Sequence, residues 1–402
     1  MNDLKKYFPW FKKNNGWIYL DSSATSLKPQ CVIDEVVNYY EKYSSNPHNK
    51  DSALTYAVSQ KIDQSRKIIS SFFNANEKEI VFTSGATESL NLIILNVMKP
   101  LKKNDEVIVS YGEHTSNLLP WLMGSKAQGF KLVFAKDKNN FPTERAFIDS
   151  ITKKTKIISL NPTNSLFGFN FNIKNIVKAA RKINKNIIVI IDATQTAPSQ
   201  GLDFKGLDID FFTCSGHKML GPDGVGILCG KSKLLEKFTP IKFGGGTISL
   251  IKNMEPQFAP IPDRLEGGTP NVEGILGFAK AIEFIKKIGI KNIIKHEKTL
   301  KMYIDEQFTS IPNLIYPSKG TPYPICSIGI KRVSPQDLAN YLGNNKIIVR
   351  GGMACVKMVG KFADPNGYVR ASFYLYNDKN DVDKLVKVLK AYKRGDELKK
   401  II

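Results

Sequence analysis

Between Glu79 and Cys229 the chain repeats one pattern. Short, almost uninterrupted apolar runs alternate with longer stretches whose apolar residues recur every three or four positions. The runs are 80–82, 105–110, 156–160, 186–191, 208–213 and 225–229. Runs of this length without polar alternation predict strands buried on both faces, which implies a mostly parallel sheet covered by helices on both sides. Helical spacing predicts helices over 27–43 (Val32, Ile33, Val36, Val37, Tyr40), 56–73, the stretch after 82, and 173–183. Residues 248–264 lie between two glycine clusters and read as a loop or hairpin. Helices over 274–288 and 290–308 lead out of this unit. Beyond 310 the pattern changes to strands at 324–330 and 347–349 with helices at 335–342 and 381–392. The expected class is α/β: a large domain (21–285) with a mostly parallel central sheet, a smaller C-terminal α+β domain (286–402), and an N-terminal segment (1–20) packed on the smaller domain.

Composition narrows the function. Hydrophobic residues make up 42% of the 402 positions, enough for a large core, yet no apolar run reaches the roughly 18 residues of a membrane span. The first twenty residues lack the apolar core of a signal peptide. Five cysteines without a C-x-x-C pair imply free thiols in a reducing compartment, so a cytoplasmic protein is expected. The formal charge is +21, but the lysines are spread over every segment. We read the excess as compositional, in a chain rich in Ile and Asn, and expect no direct nucleic-acid partner. No metal site is expected. There is no G-x-G-x-x-G or G-x-x-x-x-G-K-[ST] phosphate loop.

The chemistry gathers at strand ends. In an open parallel sheet, ligands bind at the carboxyl edge. His114, Asn164, Asp192, Gln195 and Lys218 each follow a predicted strand. Lys218 closes Ser215-Gly216-His217-Lys218, and a lysine in a tight turn after a buried strand can have a lowered pKa. A solvated loop lysine is the ordinary alternative, and the shared position of the five residues argues against it. Strand 80–82, the Ser84-Gly85-Ala86-Thr87 turn and the following helix make an anion site of helix N–H groups, or simply a capped helix start.

Taken in order, E-H-x-x-x-x-L-P-W, a T-N turn, I-D-A-T-Q, S-G-H-K-x-x-G-P-x-G-x-G, E-G-G-T-P-N and R-A-S-F-Y-L-Y-N resemble the fold-type I pyridoxal 5′-phosphate enzymes of the class-V aminotransferase group. Within that group the chain looks like a cysteine desulfurase of the SufS type, over roughly residues 17–390. The resemblance implies that Lys218 is the Schiff-base lysine and Asp192 pairs with the pyridine nitrogen. It implies that Gln195 bonds the phenolic oxygen and that His114 stacks on the ring as acid or base. Ser215, His217, Ala86 and Thr87 would hold the phosphate. Thr269 would reach the phosphate of a neighbouring subunit, which implies a homodimer. Arg370 would hold the substrate carboxylate with help from Asn164.

The implied reaction turns on Cys355, in the Gly-Gly-Met-Ala-Cys-Val-Lys segment beside Lys357, where a thiol near positive charge is partly thiolate. Cys31, Cys214, Cys229 and Cys326 read as core or helix residues. Cys355 would take sulfur from L-cysteine, leaving L-alanine and a persulfide for iron–sulfur cluster assembly or tRNA thiolation through an acceptor protein. Two departures stand out: R-x-G-H-H-C reads Arg350-Gly351-Gly352-Met353-Ala354-Cys355, and N-x-H-R-G reads Asn46-Pro47-His48-Asn49-Lys50. The rival readings are a selenocysteine lyase or aminotransferase of the same group, and a non-catalytic basic RNA-binding scaffold. An aminotransferase would turn over without Cys355, and a scaffold needs none of Lys218, Asp192 and Arg370.

Overall fold

The computed structural model describes residues 4–49, 51–393 and 395–396. Its centre is a seven-stranded sheet. The strands lie in the order Ile80–Thr83, Gly226–Gly230, Phe211–Ser215, Ile188–Asp192, Thr155–Leu160, Glu106–Ser110 and Lys131–Ala135. Only the 226–230 strand runs against its neighbours. The rest of the sheet is parallel. Residues 83, 110, 160, 192 and 215 therefore end on one edge. The mostly parallel sheet expected from the apolar runs is present, and the apolar residues of those runs are buried, with Ile188 partly exposed, as a sheet covered on both faces requires.

Several boundaries shift for local reasons. The first long helix starts at Gln30, not Leu27, because Pro29 is extended (ψ 153°) and disfavours helix before it. It ends at Asn38 and continues as a wider turn over Tyr39–Tyr43. The next runs over Ala53–Phe72, started by a Ser52–Thr55 capping box. The residues read as a loop or hairpin form a hairpin, Ile248–Lys252 with Glu255–Phe258. Helices Leu119–Gln128 and Glu144–Asp149 and the edge strand 131–135 went unpredicted.

A second, four-stranded antiparallel sheet has the order Leu314–Ile315, Ile325–Ile330, Tyr368–Ser372, Arg350–Gly352. Helices Pro335–Asn344 and Lys379–Ala391 pack with it through Leu338, Leu342, Val382 and Leu385. Ile18 and Leu20 sit in the same core, and Ile18–Tyr19 pairs in parallel with Ile347–Ile348. The helix Ile290–Phe308 spans both bodies: Ile293 belongs to the large core, and Leu300, Ile304 and Phe308 to the small one. No helix among the described residues is long and apolar enough to cross a membrane.

Candidate active site

The carboxyl edge of the large sheet faces the strand that carries Arg370, and a cavity lies between them. Ten of the twelve residues singled out in the sequence line it: Ala86, Thr87, His114, Asp192, Gln195, Ser215, His217, Lys218, Cys355 and Arg370. Each reaches the cavity through its element. Asp192 and Ser215 are the last residues of adjacent parallel strands. Ser215 Oγ accepts the Ala86 N–H at 2.9 Å, which joins the lysine turn to the start of helix Ala86–Val97. That helix start depends on Gly85, whose φ of 152° suits glycine. The close approach also depends on Gly226, where a Cβ would lie 2.6 Å from Gly85 Cα.

Lys218 is partly buried. Burial and the nearby Arg370 guanidinium push its ammonium down to about 8, against the pull of Asp192, Cys355 and Asp21. His217 is pushed down to about 4, by burial first and then by Lys218, so it is neutral near pH 7. Asp192 receives the Thr194 N–H at 3.1 Å and the Thr194 hydroxyl. Gln195 donates to the Ser23 carbonyl at 2.8 Å, and Ser23 and Ala24 complete that wall.

Cys355 sits at the junction of the two bodies. Ala354 and Cys355 both have left-handed backbone, at φ 45° and 64°, a strained arrangement for residues with side chains. A hydrogen bond from His114 lowers the thiol to about 7, with further pull from the charges of His114, Arg350 and Lys357, against its burial. The Ser116 N–H donates to His114 Nδ1 at 3.2 Å, which leaves Nε2 to carry the ring proton. The imidazole missing beside the thiol in sequence is thus supplied by His114, from across the cavity. The other four cysteines are free as well, with Cys214, Cys229 and Cys326 buried and Cys31 partly exposed.

Two of the expected residues, Asn164 and Thr269, do not line this cavity. The Asn164 side chain is fully buried and committed to backbone groups of its own loop and of the turn after strand 106–110. It donates to the Gly112 carbonyl at 2.8 Å and accepts the Leu166 and Phe167 N–H groups, both at 2.9 Å. Its neighbour Ser165 lines the cavity with a buried hydroxyl that has no partner, and its carbonyl accepts from Arg370 at 3.1 Å. Thr269 is exposed and lies in a separate hollow with Ser84, Glu88 and Lys242. One chain alone does not bring it to the cavity. Of the Asn46–Lys50 loop, Lys50 lies outside the described residues.

Sequence reasoning also passed over Glu113. Burial pushes its carboxyl up to about 8, although it accepts from Ser110 Oγ (2.6 Å), Asn117 Nδ2 (2.7 Å) and the Asn161 N–H (2.8 Å). It anchors the turn that carries His114. The only sequence cue was its place beside His114.

The whole fold from the first core strand to the last helix answers to one description: residues 18–385 match the family described as Aminotransferase class-V. The chain belongs to that family. A probable cysteine desulfurase of Ureaplasma parvum is 44% identical to this class-V chain over the full length of both proteins. One from Mycoplasma genitalium is 34% identical, covering 98% of this chain and 96% of its own. Among solved structures, a cysteine desulfurase from Thermococcus onnurineus superposes with a TM-score of 0.90 at 30% identity, covering 97% of this chain and 98% of that one. An S-sulfonic acid form of an Escherichia coli cysteine desulfurase gives 0.87 at 29%, covering 96% of each. The class-V fold is thus matched across both bodies, including the small sheet that carries Arg370 and the Cys355 loop.

Proposed function

We propose that this chain is a pyridoxal 5′-phosphate-dependent cysteine desulfurase that converts L-cysteine to L-alanine and carries the sulfur as a Cys355 persulfide. The observation that supports it best is the placing of the Cys355 thiol, lowered to about 7, on the wall of the cavity that holds Lys218 and Arg370. A transaminase needs the lysine and the arginine but has no use for an activated thiol.

The residues present fit the cofactor. An amine lowered to about 8 suits an aldehyde, and a strand-end carboxylate suits a pyridine nitrogen. The N–H groups opening helix 86–97, with Ser215, Thr87 and His217, suit a phosphate. When bound, the cofactor supplies an electron sink for breaking bonds at the substrate Cα and Cβ.

This chain's own groups do the rest. Arg370 holds the substrate carboxylate, with Ser165 beside it in place of Asn164. Lys218, near its pKa, takes and returns the proton at Cα. His114 holds the Cys355 thiolate by a hydrogen bond from its ring. The Cys355 thiolate supplies the electron pair of a new bond to the substrate sulfur as the sulfur–Cβ bond breaks; that bond's pair stays with Cβ, which takes a proton, and the carbon is released as alanine. We also propose a homodimer in which Thr269 reaches the partner's phosphate, an intracellular setting, and onward transfer to an acceptor serving iron–sulfur cluster assembly or tRNA thiolation.

The test uses purified protein loaded with cofactor and given L-cysteine and a reductant. Alanine and sulfide in equal amounts are expected. Cys355→Ala should keep the visible absorbance of the bound cofactor and lose sulfide release by about 100-fold or more. No alanine from the wild type sinks the proposal, and full activity in Cys355→Ala sinks the persulfide.

A further inference from the structure

Arg370 is buried at the cavity wall, only 2% exposed, and its guanidinium is only partly satisfied by the protein. One terminal nitrogen donates to the Ser165 carbonyl at 3.1 Å and the other to Asp21 Oδ1 at 2.6 Å. Nε is buried and has no partner. A buried donor left unpaired is costly unless a ligand completes it.

The Asp21 contact is set by the sheet. Asp21 bridges Ser372 in parallel, with Ser372 N–H donating to the Leu20 carbonyl at 2.7 Å and Ser22 N–H to the Ser372 carbonyl at 3.3 Å. Residues 370 and 372 share a face of their strand, so this register makes Asp21 the diagonal neighbour of Arg370. The carboxylate is largely shielded, with 16% of its side chain exposed against 3% for the arginine. A shielded pair held from two backbones differs from a surface ion pair, whose geometry is loose and whose worth is small. Its surroundings are cationic: Arg350 sits opposite Arg370 in the strand pair, and Lys218 is across the cavity.

We propose that Asp21 is a positioning residue for substrate selection: it grips one end of the Arg370 guanidinium so that the donors left uncommitted at its tip stay directed to a single α-carboxylate. This rests on the reading of Arg370 as the carboxylate seat and adds a residue that touches no substrate. Ser165 holds the other end through its carbonyl. Without Asp21 the guanidinium is free to rotate about its last bonds, and the carboxylate loses its aligned pair of donors. An amine without a carboxylate would not register the change.

That difference is the test. L-alanine and ethylamine differ by the carboxylate and can each be titrated into cofactor-loaded protein by the spectral change they cause. In Asp21→Ala, alanine affinity should fall about tenfold and ethylamine affinity should stay within about twofold, while KM for L-cysteine rises and kcat holds. Asp21→Asn keeps an acceptor and should fall about threefold for alanine. Unchanged alanine binding in Asp21→Ala, or an equal loss for ethylamine, overturns the proposal. Where Asp21→Ala does not fold, Asp21→Asn decides on the same comparison. Failure of the wild type to release sulfide would sink the desulfurase reading instead, and the alanine–ethylamine comparison would still stand.

Discussion

Thr115 donates both its backbone N–H and its hydroxyl to the Cys355 carbonyl, at 3.1 and 2.8 Å. The thiol loop of the small body is thereby clamped to the turn of the large body that carries His114. Thiol activation and the meeting of the two bodies are one arrangement.

Cys355 should therefore alkylate with iodoacetamide with a midpoint near pH 7, two units below the ordinary thiol value of 9.0. The sign follows from the thiolate being the reactive form: reactivity is lost as pH falls through 7. His114→Ala should move the midpoint upward. A wild-type midpoint near 9 would refute the contact.

Arg370→Lys keeps the charge but loses the planar fork. KM for L-cysteine should rise about tenfold, equivalent to about 1.4 kcal/mol, because an ammonium cannot bind a carboxylate with two parallel bonds. Steady-state kinetics at several pH values checks this, and an unchanged KM would move the carboxylate site elsewhere.

Gly226→Ala places a methyl 2.6 Å from Gly85 Cα and 2.7 Å from the Cys214 carbonyl, both backbone atoms. The strand and the helix start must part, at a cost of about 1–3 kcal/mol. A lower urea midpoint at unchanged slope, with weaker cofactor retention, is expected.

Glu297 lies buried in the 290–308 helix with one hydrogen bond, from Ser199 at 2.9 Å, and its other oxygen unpartnered. Burial raises its carboxyl to about 8 from 4.5. A raised acid favours the folded state fully below pH 4.5, and that contribution disappears as pH rises through 8. Thermal unfolding of the wild type should therefore lose stability between pH 5 and 8 relative to Glu297→Gln. Parallel curves for the two proteins would count against it.

How far these features were legible in the sequence depends on where their geometry comes from. Lys218, Asp192 and Gln195 were readable because an apolar run fixes a strand, and a strand end fixes the edge of the sheet. The 131–135 strand was not, since an edge position leaves Leu132, Val133 and Phe134 only half-buried and its apolar run short. Asn164 and Ser165 differ by one position in a turn, where no periodicity says which side chain faces the cavity. Asp21 was illegible for a stronger reason: its partner is chosen by a register between distant segments, and nothing local in Leu20-Asp21-Ser22 marks it.

That register also orders events in time. Asp21 and Arg370 are 349 positions apart. At a synthesis rate of roughly 5–20 residues per second, Asp21 waits on the order of 17–70 s before its partner leaves the ribosome. The large sheet is by then entirely synthesised. The carboxylate subsite is therefore among the last parts of the cavity to be assembled, and a nascent chain cut short before residue 368 carries the lysine turn but has no seat for an amino acid.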